Sequence, residues 1–109
     1  MGDSKERIIL TEAVYYILLS LFEPLHGYGI MQNAQMLSHG RVNLAAGTLY
    51  GALNTLMEKG YINALNGETN SRKKEYVITT LGKDAVSQEV ERLRELIKNG
   101  EEILRRNER

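Results

Sequence analysis

The hydrophobic period of this chain changes twice, and those two changes constrain the order of its elements. Up to Gly60 the apolar residues recur at steps of three and four, from Tyr61 to Thr79 they alternate, and from Thr80 onward the steps of three and four return. A helical block, a short β segment and a final helix follow, because a helix and a strand turn their side chains with different periods. Val14, Ile17, Leu18 and Leu21 form one helical stripe, which predicts a first helix over about Thr11 to Phe22, capped by Thr11 and stopped by Glu23-Pro24. Ile30, Ala34 and Leu37 predict a second helix over about Tyr28 to Leu37, closed by Ser38-His39-Gly40. A third helix is expected from an Asn43 cap to Lys59, with Leu49, Leu53, Leu56 and Met57 inward and Gly60 as its stop.

The outer face of that third helix, made of Ala46, Gly47, Tyr50, Gly51 and Asn54, carries no charge. A helix facing only water normally presents charges there, whereas small neutral residues let another backbone approach closely. This face is therefore a candidate contact surface. The alternating segments, Tyr61 to Asn66 and Glu75 to Thr79, read as two strands of a hairpin around the polar run Gly67 to Arg72. In the last helix Val86, Val90, Leu93, Ile97 and Leu104 follow steps of four and three, with Gly100 in the remaining seam position and Leu96 and Ile103 widening the stripe. So long a seam predicts a partner helix and hence a dimer; the alternative is that the helix folds back on its own core. Asn99-Gly100 could also end the helix early.

Composition narrows the class. At 109 residues one domain is expected, and with no Cys there is neither a disulfide framework nor a thiolate site, which favours a cytoplasmic protein. The apolar run Ala13 to Phe22 is too short for a membrane span, and the first residues lack the apolar stretch of an export signal. Fourteen Lys plus Arg balance 14 Asp plus Glu, which argues weakly against a nucleic-acid binder. Net charge hides local patches, however. Residues 83 to 109 hold seven basic and seven acidic side chains and cancel, whereas Arg72-Lys73-Lys74 stand together on the hairpin.

Three helices, a hairpin with a polar tip and one more helix are the order of a winged helix-turn-helix, in which the third helix enters the major groove and the hairpin lies along phosphates. The expected fold is mainly α with a small β-hairpin: a winged helix-turn-helix DNA-binding domain over residues 1–82 and a C-terminal dimerisation helix over 83–109. The residues Leu25-His26-Gly27-Tyr28-Gly29-Ile30, Gly47-Thr48-Leu49-Tyr50, Leu53, Leu56, Gly60, Ile62, Lys74, Tyr76, Ile78-Thr79 and Gly82 occur in one order. On these the sequence resembles the PadR family of bacterial transcriptional regulators.

The resemblance implies a dimeric repressor of the short PadR type on a pseudo-palindromic double-stranded operator, released by a small, often aromatic, effector. Asn43, Ala46, Gly47, Thr48, Tyr50 and Asn54 are then the candidate recognition-helix contacts, and Arg72, Lys73 and Lys74 the wing contacts. Val86, Val90, Leu93, Leu96, Ile97 and Leu104 are the candidate dimerisation residues. The chain has no Trp and its last helix no aromatic residue, so the expected effector lining is Tyr15, Tyr16 and Phe22 on the first helix with Leu93, Leu96 and Ile97.

Other chemistry finds little footing. His26 and His39, without Cys or matched carboxylates, are expected to serve helix ends and not a metal. Gly27-Tyr28-Gly29 lacks the third glycine and the Gly-Lys-Ser or Gly-Lys-Thr of a phosphate loop. No nucleophile, base and orienting group would be brought together by this fold, so neither an enzyme nor a cofactor is implied. The rival reading is a winged helix that binds protein instead of DNA, which neutral net charge favours and the basic wing and uncharged third helix oppose.

Overall fold

The computed structural model describes residues 9–65 and 74–108. These form four helices and a three-stranded antiparallel sheet: α1 (Glu12–Ser20), β1 (Leu25–His26), α2 (Gly27–Leu37), α3 (Ala46–Glu58), β2 (Ile62–Leu65), β3 (Glu75–Ile78) and α4 (Thr80–Arg106).

The expected element order holds, with four local corrections. First, α1 stops at Ser20, so Phe22 lies beyond it. Thr11 does cap it, its hydroxyl oxygen accepting from the Val14 amide at 3.1 Å. Second, α2 begins at Gly27 and is capped by His26, whose Nδ1 accepts from the Gly29 amide at 3.3 Å. Third, α3 begins at Ala46 behind Ala45, not behind Asn43, and no side chain caps it. Asn43 instead sits, exposed, in the connection. Val42 anchors that connection: it is buried, and its amide donates to the Ser38 hydroxyl at 2.8 Å. Fourth, α4 runs unbroken through Asn99-Gly100 to Arg106.

The hairpin is larger by one strand than the sequence periodicity shows. The strand order is β1-β3-β2, with Leu25 opposite Tyr76 and Ile62 opposite Ile78. Two residues are too few to display a period, which is why β1 escapes sequence reading. Tyr76 and Ile78 face the core, as the alternation requires, and so does Ile62. The core joins Ile17, Leu18 and Leu21 of the α1 segment, Ile30 of α2, Leu49 and Leu53 of α3, and Ile62, all fully buried.

Thr79 is the joint between sheet and last helix. Its amide donates to the Tyr61 carbonyl at 2.9 Å, its hydroxyl donates to the Gly60 carbonyl at 2.7 Å, and the same oxygen caps α4 by accepting from the Gly82 amide at 3.0 Å. Gly60 has φ +80°, the left-handed region glycine adopts without strain, and so closes α3 as expected. The first turns of α4 are bound to the core through Val86 and through Glu89, a carboxylate only 3% exposed. Arg92 donates to Glu89 from Nε at 3.0 Å and from Nη2 at 2.6 Å. Together with the Leu10 backbone, these bonds hold the Glu89 carboxyl below the usual carboxylate range despite its burial. Beyond Leu93 the helix leaves the body of the protein: Leu96, Ile97, Ile103 and Leu104 are exposed. Its 27 residues span about 40 Å.

Candidate nucleic-acid interface

Burial of Leu49, Leu53 and Leu56 orients α3 and turns Ala46, Gly47, Thr48, Tyr50, Gly51 and Asn54 outward. The one charged residue of the helix, Glu58, lies in its last turn. The outward surface is thus neutral and low in relief, with a hydroxyl, a phenol and a carboxamide as its polar groups. Gly47 and Gly51 have open space where a Cβ would stand, so neither is glycine for internal packing. With no polar side chain at Ala45, the first amides of α3 are left available to an outside acceptor.

Tyr50 is less simple than the sequence implies. It exposes 40% of its surface, yet its ring lies over Gly27, with the hydroxyl against the start of α2. The Tyr76 phenol of β3 is pushed up from its ordinary pKa first by burial and second by Tyr50. The expectation that Leu49 and Leu53 take the inward positions holds, and Tyr50 occupies the border between the core and the outer face. Sequence reading assigns Gly27 to turn and helix packing; its pairing with Tyr50, 23 positions away, has no local signal.

Lys74, at the entry to β3, is half-buried. Arg72 and Lys73, the other two wing candidates, lie outside the described residues. Of the seam residues, Val86 is buried, Val90 and Leu93 are half-buried, and Leu96, Ile97 and Leu104 are exposed. The stripe begins in the protein's own core and ends exposed.

The candidate effector residues lie on α1, just beyond it and on the second half of α4. Tyr15 and Tyr16 meet edge to face, with ring centroids 5.7 Å apart, and only Tyr15 packs on the core cluster. Phe22 is exposed, and the Lys83 ammonium stands 5.6 Å from its ring centroid. An apolar cleft of about 350 Å³ lies elsewhere, between Leu10, Thr11 and Val14 on one side and Ala52, Thr55 and Leu56 on the other, and none of the six candidates lines it. Among the described residues no helix is long and apolar enough to cross a membrane.

Comparison with known proteins agrees with this geometry. No curated protein matches the chain at a significant level. Among solved structures, a transcriptional regulator from Clostridium thermocellum is 26% identical, with 83% of this chain and 89% of that one covered and a TM-score of 0.68. A PadR family transcription regulator from Clostridium difficile is 27% identical over 84% of this chain and 97% of its own, with a TM-score of 0.65. A PadR family regulator from Eggerthella lenta is 25% identical over 87% and 82%, with a TM-score of 0.64. The family model for the transcriptional regulator PadR-like family matches residues 16–88. That span takes in α1 from Tyr16 onward, the sheet, α2, α3 and the start of α4, so the chain belongs to the PadR-like family of transcriptional regulators, winged-helix proteins that regulate transcription on DNA and are not enzymes.

Proposed function

We propose that this protein is a dimeric repressor that binds a pseudo-palindromic operator and is released from it by a small aromatic effector. The observation that carries the reading is the neutral, low-relief outer face of α3, held outward by Leu49, Leu53 and Leu56. Thr48 and Asn54 supply hydrogen-bonding groups of the kind that read base edges, and Ala46 and Gly47 let the helix approach them closely. Tyr50 contributes a phosphate contact through its hydroxyl, Asn43 another ahead of the helix, and Arg72, Lys73 and Lys74 grip phosphates from the wing.

Dimerisation is assigned to α4, and the exposed Leu96, Ile97 and Leu104 support it: a second copy would remove that apolar surface from water. The division into a DNA-binding part (1–82) and a dimerisation helix (83–109) is one of labour, since Val86 and Glu89 belong to the core of the first. Two copies of α3 would then enter successive major grooves about 34–36 Å apart. The effector would bind where the second copy closes over Tyr15, Tyr16, Leu93, Leu96 and Ile97, with Phe22 at its rim. Occlusion of the promoter would effect repression.

Fluorescence anisotropy of the protein with its own upstream DNA and with a scrambled duplex, at low and physiological salt, tests the reading. Binding that survives physiological salt on the upstream duplex alone, and is reversed by an aromatic effector, is the expected result. Equal, weak binding to both duplexes would refute operator recognition at that promoter, and pull-down of a protein partner on α3 would favour the protein-binding alternative.

A further inference from the structure

Gly27 is buried in the first turn of α2, and its backbone does not explain why it is glycine. Among the described residues the positive φ angles belong to His39, Gly40 and Gly60, so any L-residue could adopt the conformation of Gly27. Space explains it instead. A Cβ at this position would stand 2.8 Å from Cζ and 3.4 Å from Cε1 of Tyr50, and nearer still to the Tyr50 hydroxyl oxygen. The phenol of one residue fills the volume that a side chain on the other would need.

Gly27 directly follows β1, whose Leu25 pairs with Tyr76 of β3, so the sheet fixes where α2 begins. Tyr50 is thereby seated on the start of α2 while 40% of it remains exposed on the outward side of α3. A tyrosine on a bare helix surface would sample several χ1 wells, and ordering it on a ligand would cost affinity.

We propose that Gly27 is a positioning residue for DNA binding: by having no side chain it seats the Tyr50 hydroxyl at the start of α2 and so holds the part-exposed phenol in one place on the DNA-facing surface. The proposal rests on the reading that the outer face of α3 meets DNA. It links two stretches of the sequence, Leu25 to Ile30 and Gly47 to Tyr50, through one contact. The obstructing atoms are the far end of a half-exposed side chain, so a Cβ at position 27 swings Tyr50 into solvent and leaves the fold standing.

The test compares wild type with Gly27→Ala, Tyr50→Ala and the double variant, by anisotropy on the upstream duplex and on a scrambled one at low salt, and by NMR of tyrosine-labelled free protein. In Gly27→Ala the Tyr50 ring resonances are expected to move, the circular dichroism to stay that of wild type, and affinity to fall about three- to tenfold, the loss expected from one side chain that must be reordered. In the Tyr50→Ala background the same substitution should have no further effect, because paired residues fail to add. Wild-type affinity in Gly27→Ala, or an equal loss with and without Tyr50, would overturn the proposal, the second result meaning that Gly27 itself lies against DNA. Unmoved Tyr50 resonances would overturn the seating alone. A wild-type protein that binds neither duplex would overturn the DNA reading, and the proposed role with it.

Discussion

Gly82→Ala tests how α4 is fixed to the wing. Gly82 lies in the first turn of α4, and a Cβ there would be 2.7 Å from Ile78 Cγ1, 3.1 Å from the Tyr61 carbonyl carbon and closer still to the Tyr61 carbonyl oxygen. Neither obstacle can swing aside as Tyr50 can. The Tyr61 carbonyl is held by the Thr79 amide at 2.9 Å; Ile78 is buried, and its amide donates to the Leu21 carbonyl at 2.9 Å. The helix must therefore back away from the sheet, straining the Thr79 joint. Overpacking of this kind costs about 1–3 kcal/mol. Loosening the two Thr79 bonds adds about 1 kcal/mol each, and the better helix propensity of Ala returns at most about 1 kcal/mol. A net loss of about 2–4 kcal/mol follows, which for a chain of this size lowers Tm by about 9–17 °C. Thermal unfolding followed at 222 nm, at one fixed protein concentration so that association does not shift the midpoint, measures it. Gly51→Ala is the internal control: it lies in the middle of α3, away from the α4 seam, with open space around it, so the same change should stabilise by about 1 kcal/mol. A Gly82→Ala variant as stable as wild type would show that α4 is not clamped at Tyr61.

Glu89→Gln probes the buried carboxylate. The Arg92 bonds hold its folded pKa below the usual range, so its contribution is present above the unfolded value and is lost as pH falls through the folded one. The gap in urea midpoint between wild type and variant should be widest at neutral pH and close in acid; a gap independent of pH would refute the role of the charge. Ile97→Asp, on a side chain exposed within the chain, should leave the monomer folded yet yield monomer in sedimentation velocity and weaken operator binding; a persistent dimer would place the interface elsewhere. Lys74→Ala should lower the slope of log affinity against log salt by about 1, and an unchanged slope would remove Lys74 from the phosphate contacts.

What was legible in the sequence was whatever rests on period and local turn chemistry. Leu49, Leu53 and Leu56 on one side of α3 foretell the neutral side opposite, and Thr11 and Gly60 mark element ends by the side chain of one and the lack of one on the other. Where two local signals conflicted, tertiary context decided. Asn43 is a better cap than Ala45 by propensity, but with Val42 buried and its amide bonded to Ser38, Asn43 stays exposed in the connection and the helix starts later, behind an extended Ala45. Asn99-Gly100 lowers helix propensity, but so long a helix continues through two weak residues once its first turns are bonded to the core.

Contacts between distant residues were not legible, and they matter most at the interface. Gly27 reads locally as part of the turn into the second helix and Tyr50 as an outward aromatic; only the fold reveals that one is small because the other is large. The same holds for Glu89 and Arg92, which have the spacing of an ordinary i,i+3 surface pair, yet the fold buries the carboxylate and brings the Leu10 backbone to it. The apolar stripe of α4 divides in the same way. Its first turns, through Val86 and Val90, pack on the protein's own core, so the self-covering alternative describes them, while Ile97 and Leu104 are exposed and are what a second chain would bury. The seam is thus continuous in sequence yet serves two purposes in space. A substitution at Leu93, half-buried at the boundary, would disturb both, which is why Ile97 is the position at which association can be tested without testing the fold.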